Sequence, residues 1–188
     1  MRSIGSAGHE AVGPPPGTGG GAGAGPHAAF EAFAARERSA LVAFAWSMTG
    51  DRGASEDIVQ ETLATAWRDW SRVGGYDKPG AWARRVVANR ATDRGRRRGR
   101  ESRALRRFHL RAVGAVALEP ADAEFWGALR GLPERQAQAL ALHYLEDRPV
   151  AEIATILELA EGTVKSHMHR GRLALARQLG LMHEEDAR

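Results

Sequence analysis

At 188 residues, the chain has room for one ordinary domain or two small ones. Its net charge of +4 is carried almost entirely by arginine, whose planar fork suits phosphate and guanine. The absence of cysteine excludes disulfides, thiolate zinc sites and thiol redox switching. No apolar run approaches the roughly 20 residues that cross a bilayer, and the N-terminus lacks an apolar signal core, so a cytoplasmic location is expected.

Residues 1–27 are rich in glycine and proline. They cannot bury enough apolar surface to offset chain entropy and are expected to be disordered. From Phe30 the texture becomes helical, with Phe33, Ala34, Leu41, Phe44 and Ala45 at three- and four-residue steps, ending near Thr49-Gly50. A second helix is predicted from about Ala54 to Trp70. Val59, Leu63, Ala66 and Trp70 form its inner stripe, and Asp57, Gln60, Glu61, Ala64 and Arg68 share the opposite face. A loop from Ser71 to Pro79 precedes a third helix, about Ala81 to Arg98. The run Arg94 to Arg107 is too charged to be core, and Gly114 to Pro120 reads as a linker.

The C-terminal part begins with a short helix at Asp122 to Leu129. Another starts at Leu132-Pro133-Glu134, where proline fits the first turn, with Ala137, Leu140, Ala141, Tyr144 and Leu145 as its apolar stripe. A third short helix begins at Pro149 with Val150, Ile153, Ala154 and Leu157 inward. A turn at Glu158 to Glu161 then leads into a last helix from Gly162 to about Leu179. Two helices joined by so short a turn are the signature of a helix-turn-helix. No stretch alternates as a strand would, so the fold class is all-α.

In the last helix Val164, Met168, Gly171 and Leu175 point inward. Lys165, Ser166, His169 and Arg172 fall outward, with Arg170 at the border. A recognition helix sets such outer residues against base edges while flanking cations hold phosphates. The acidic face around Asp57 would repel DNA and suits a protein partner; the arginine cluster from Arg94 to Arg100 attracts phosphate. Metal chemistry is not indicated, because His167 and His169 are two apart and point to different faces, and no HExxH spacing occurs. Glu56, Asp57 and Glu61 lack a further acid to complete a nuclease cluster, and no phosphate-binding glycine loop is present. No cofactor, small-molecule substrate or enzymatic activity is expected. On these residues alone a DNA-binding repressor or activator of LuxR type remains the rival reading; the Asp57–Glu61 helix is what such a regulator has no need of.

The chain resembles the extracytoplasmic-function (ECF) sigma factors of the sigma-70 family, and within them the actinobacterial SigE-type group. Asp57-Ile58-Val59-Gln60-Glu61 resembles a segment of sigma region 2, and Ala81 to Asn89 with Asp93 and Arg96-Arg97 the helix after it. Leu132 to Gln136, Glu152-Ile153-Ala154 and Gly162 to His167 resemble region 4. The motifs occur in order between about Phe30 and Leu181. The resemblance implies two small helical domains, at 28–100 (region 2) and 121–181 (region 4), joined by a flexible basic linker at 101–120 and followed by a tail at 182–188.

It further implies a factor that binds core RNA polymerase and directs transcription initiation. Asp57, Gln60 and Glu61 would dock on the clamp coiled coil of the largest subunit, with the flap as a second contact. Trp82, Arg85, Asn89 and Arg90 would serve the −10 element; Thr163, Lys165, Ser166, His169, Arg170 and Arg172 would serve the −35 element. An anti-sigma inhibitor is a further partner the family leads one to expect. The chain departs from the family pattern in its turn, where Glu158-Leu159-Ala160-Glu161 replaces a glycine-containing version and Glu161 puts a negative charge beside the expected DNA.

Overall fold

The computed structural model describes residues 25–104 and 120–181. Residues 1–24 of the expected 1–27 leader, most of the linker and the C-terminal tail lie outside the described residues; the last two leader residues, Pro26 and His27, belong to the first helix, whose first turn the proline suits. Eight helices and no strand are found among those described: α1 (Pro26–Thr49), α2 (Arg52–Arg68), α3 (Trp70–Val73), α4 (Pro79–Ala104), α5 (Pro120–Arg130), α6 (Glu134–Glu146), α7 (Val150–Leu157) and α8 (Glu161–Gln178).

Local chemistry sets the boundaries. Proline stands in the first turn of α1, and Gly50 ends that helix in the left-handed conformation at φ 66°, its amide donating to the Trp46 carbonyl. A side chain here would be strained, and its Cβ would lie 2.9 Å from Nε of Arg130, so glycine serves both conformation and space. Asp51 caps α2, its Oδ1 accepting from the Ala54 amide at 2.9 Å. The inner stripe of α2 is Ile58, Val59, Thr62 and Ala66, all buried; Leu63 and Trp70 pack against the core only in part. Trp70 is no longer in α2, because the chain breaks at Asp69 and restarts as the single turn α3. Phe30 and Phe33 of α1 meet the Trp70 ring at 5.4 and 5.0 Å between centroids. The expected loop at Ser71–Pro79 is therefore helical in its first residues, and α4 continues four residues past the expected end of the first domain at 100.

In the C-terminal half, α6 buries Ala137, Leu140 and Ala141 as the spacing predicts. Two expectations differ. Pro133 stands at the N-cap of α6 with φ −53° and ψ 138°, one residue before its first turn. Tyr144 faces outward at 50% exposure, because the Arg172 guanidinium from α8 reaches its hydroxyl and holds the ring at the surface. In α8 the buried residues are Val164, Met168, Gly171 and Leu175. A Cβ on Gly171 would sit 2.6 Å from Leu140 Cδ1; glycine is what lets α8 lie directly on α6.

The two halves share one core. Helix α1 packs on α2 and α4 within its own half and on α5 and α6 of the other, and α4 packs on α7. Buried residues from Phe33 to Leu175 form one continuous apolar cluster.

Candidate nucleic-acid and polymerase interface

The acidic face of α2 is exposed at Asp57, Gln60 and Glu61, as helical spacing dictates. Its two carboxylates are not free. Arg94 of α4 donates to Asp57 Oδ2 at 3.2 Å, and Arg90 of α4 hydrogen-bonds both Glu61 and the Thr65 hydroxyl. The acidic surface and the basic helix, which sequence reading assigned to different partners, thus neutralise one another along the α2–α4 seam. The pairs are largely exposed, so each is exchangeable at little cost.

Trp82 is partly buried against the core and lines a cleft of about 430 Å³ with Tyr76, Lys78, Arg85, Thr155 and Glu158. Arg85 is ion-paired with Glu158 of the α7–α8 turn. Asn89 is exposed on the same helix. Of the four −10 candidates, Trp82 and Arg85 therefore share one site, while Arg90 belongs to the seam with α2. Arg96, in the basic run, pairs with Glu134 at 2.7 Å.

In α8 the structure brings Thr163, Lys165, Ser166, His169, Arg170 and Arg172 to the exposed side. Lys165, His169 and Arg170 have no hydrogen-bond or ion-pair partner among the described residues. Ser166 donates to the Gly162 carbonyl at 3.0 Å, and Arg172 is tied to Tyr144, its Nε donating to the phenol oxygen at 3.1 Å. The free donors lie in the N-terminal and middle turns, and Arg172 stands at the flank. Glu161 occupies the first turn of α8, where its charge suits the helix dipole; Ala160 is the N-cap and offers no side-chain bond.

One residue that sequence reading did not single out organises the surface between the halves. Arg84 is 3% exposed. Its Nη1 donates to Glu37 Oε2 of α1 at 2.8 Å and to the Gly80 carbonyl at 3.0 Å, and its Nε to Glu146 Oε2 of α6 at 2.5 Å. Burial tends to raise the Glu37 carboxyl, but hydrogen bonds and charge from Arg84 and Arg36 outweigh it and hold Glu37 below the usual range. Arg148 of the α6–α7 turn joins the network through Glu146 at 3.2 Å and Glu152 at 2.9 Å. Burial opposes its charge, but the bonds to Glu152 and Glu146 prevail and raise it. Glu152 is lowered, chiefly by its bond to Arg148. Gln138, fully buried, donates to the Thr92 hydroxyl of α4 at 3.1 Å. The signal for Arg84 is spacing: it precedes the buried Val87, Ala88 and Ala91 by three, four and seven residues, which places it on the inner stripe of α4.

No group of three metal-ligating side chains occurs among the described residues, and no helix among them is long and apolar enough to cross a membrane.

Residues 33–101 match Sigma-70 region 2 and residues 122–175 match Sigma-70, region 4. The chain is 33% identical over 145 residues to the ECF RNA polymerase sigma factor SigL of Mycobacterium tuberculosis, covering 70% of this chain and 78% of that protein. The chain belongs to the ECF sigma factors of the sigma-70 family. It is also 27% identical over 151 residues to the RNA polymerase sigma-E factor of Streptomyces coelicolor, covering 80% of this chain and 85% of that one. Among solved structures it is similar to the sigma factor RpoE of Bartonella quintana in complex with the anti-sigma factor NepR, with TM-score 0.64 and 28% identity, covering 82% of this chain and 98% of that one. Sigma factors are transcription initiation factors, not enzymes. The LuxR-type alternative falls with the match to region 2.

Proposed function

We propose that this sigma factor binds core RNA polymerase and directs it to promoters, region 2 meeting the −10 element and region 4 reading the −35 element. The domains that do so are taken as 28–100 and 121–181, with 101–120 between them. Asp57, Gln60 and Glu61 dock on the clamp coiled coil, exchanging Arg90 and Arg94 for cations of the polymerase, and region 4 meets the flap. Trp82, Arg85, Asn89 and Arg90 serve the −10 element, where unstacked bases want an aromatic surface and single-strand phosphates want cations. Thr163, Lys165, Ser166, His169 and Arg170 face the upstream element, and Arg172 holds a flanking phosphate. The chain acts in the cytoplasm, and a protein inhibitor of the anti-sigma class is a further partner, as the Bartonella RpoE complex has one.

The observation that carries this reading is α8. Four inward residues fix it on α6 and α7, a three-residue turn sets it against α7, and its outer face carries donors with no competing partner. Reconstitution with core polymerase tests it. Changing Lys165, His169 and Arg170 together to alanine is expected to abolish protection of the upstream element while core binding persists. Undiminished sequence-specific protection there would overturn the assignment.

A further inference from the structure

Beside the outer stripe of α8 stands a pair of side chains whose hydrogen-bonding capacity is only half used. Tyr144 of α6 is 50% exposed, and its phenol oxygen accepts from Arg172 Nε at 3.1 Å. With Nε engaged in this way, the two Nη groups at the far end of the guanidinium have no acceptor among the described residues. Nor has the phenolic proton of Tyr144. A guanidinium only donates, and a phenol that accepts one bond can still donate another. What the pair lacks is an acceptor.

Packing brings the two residues together. Gly171 lays α8 on α6 so closely that a Cβ there would stand 2.6 Å from Leu140 Cδ1 and 3.3 Å from Gln136 Cβ. Tyr144 is one turn beyond Leu140 and Arg172 one residue beyond Gly171, so the close approach carries the guanidinium to the phenol. The Tyr144 ring is held edge-on by Phe125 of α5 at 5.8 Å between centroids, and by His143 at 5.1 Å. Arg172 Cζ lies 5.9 Å from the same ring centroid. An exposed cation–π contact is weak by itself, so stability gives little reason to hold an arginine here. Holding it does reduce the side-chain freedom left to lose when a ligand binds.

We propose that Tyr144 and Arg172 form one seat for a backbone phosphate beside the upstream element, held by the Arg172 Nη groups and the Tyr144 hydroxyl together. A phosphodiester presents two unesterified oxygens that only accept, and its charge suits the arginine fork. Lys165, His169 and Arg172 follow one another at steps of four and three residues, all exposed. The seat therefore lies on the stripe of the free donors, about 10 Å along α8 from Lys165. The inference rests on the proposed reading role of α8 and deepens it. Tyr144, a residue of α6 outside the recognition helix, positions Arg172 and adds a donor of its own. A phosphate contact carries no sequence information but fixes register and orientation on the duplex. A phosphate seated here sets how α8 enters the groove, and the contacts of Lys165, His169 and Arg170 with base edges follow from it.

The test uses holoenzyme assembled from core polymerase and the full chain, on a duplex that the parent holoenzyme selects from a randomised upstream region. Each phosphate around the selected element is replaced in turn by an uncharged methylphosphonate. Affinity is measured for the parent, Tyr144→Phe and Arg172→Ala, with Tm alongside. In the parent, neutralising one phosphate beside the element is expected to weaken binding about tenfold. Each variant is expected to bind the unmodified duplex more weakly and to become nearly indifferent to that one replacement, while keeping its losses at the other phosphates. Tyr144→Phe retains the ring and its stacking partners, so its Tm should hold. A role confined to packing would leave its phosphate profile like that of the parent, and that result would overturn the seat. So would a parent profile in which no replacement is relieved by Arg172→Ala. A parent holoenzyme that selected no upstream sequence would instead strike the proposed reading role of α8, and the seat with it.

Discussion

The region 2 surface and the outer face of α8 carry the same kinds of side chain in opposite states. On region 2 every arginine among the −10 candidates is engaged: Arg85 by Glu158 and Arg90 by Glu61. The acidic residues proposed for docking, Asp57 and Glu61, are engaged by Arg94 and Arg90. On α8, Lys165, His169 and Arg170 have no partner among the described residues. The difference teaches that, on the proposed assignment, the two surfaces would work by different exchanges. Region 4 would trade water for base edges, whereas region 2 would have to trade one ion pair for another, making its engagement salt-dependent.

The comparison is broken most severely at Arg84. Replacing it with alanine leaves Glu37 and Glu146 facing each other in a buried site, and loss of one partner from such a network costs about 3–5 kcal/mol. A large fall in Tm is expected, larger than for Arg85→Ala, whose pair is partly exposed. Equal melting temperatures for the two variants would contradict the buried role of Arg84.

The recognition helix is broken next, at Gly171. A methyl group there meets Leu140 Cδ1 at 2.6 Å, and overpacking of this kind costs about 1–3 kcal/mol. Gly171→Ala is expected to lower Tm and weaken upstream-element binding while leaving core docking through Asp57 and Glu61 intact. Unaltered Tm would mean that α8 is free to slide on α6.

Acid sharpens the contrast, since the network between the halves rests on carboxylates. Glu37 faces Arg36 of its own helix and Arg84 of α4. Lys78, Arg148 and Glu152 line the adjoining cavity, and Glu146 is reached through Arg84. Glu37 and Glu152 both titrate below their ordinary value in the folded chain, so the unfolded chain binds more protons. The stability they add is present above the ordinary glutamate pKa, about 4.3, and is lost as pH falls through the lowered folded values. Melting at pH 7 and near pH 4 should show a smaller acid loss in Glu37→Gln than in the parent chain. Parallel losses would remove Glu37 from the account.

The smallest effect is expected at the turn before α8. Glu158 sits at φ 54°, a left-handed conformation costing about 1 kcal/mol for a residue other than glycine. Glu158→Gly relieves that strain but gives up Arg85, so Tm should move by less than about 1 kcal/mol equivalent while the halves separate more readily at low salt. A large loss of stability would mean that the Arg85 pair carries more than exposure allows.

What was legible in the sequence follows from period. Inward and outward residues of α8 were fixed by 3.6-residue spacing, and so was the exposure of Asp57, Gln60 and Glu61, because each depends only on its own helix. What escaped depends on residues far apart in the chain. Arg85 and Glu158 are 73 positions apart, and Arg84 and Glu146 are 62 apart; no local pattern couples them. Arg84 was hidden by its type, an arginine among arginines, although its spacing to Val87, Ala88 and Ala91 pointed inward. Tyr144 fell on an apolar stripe, yet its hydroxyl and a distant arginine turned it outward. The break between α2 and α3 was missed because Trp70 continues the helical period even though Asp69 ends the helix.

The claim that α8 reads bases with unpartnered donors, while region 2 exchanges ion pairs, is tested most directly by binding of the holoenzyme to a library of upstream-element variants at several salt concentrations, comparing Arg170→Ala with Arg90→Ala. Arg170→Ala should lose about 1–3 kcal/mol at particular base positions and little elsewhere. Arg90→Ala should weaken every variant alike and reduce the salt slope by about one. If Arg170→Ala instead weakened all sequences equally and altered only the salt slope, α8 would be steering on phosphates and its role as the reader would be wrong.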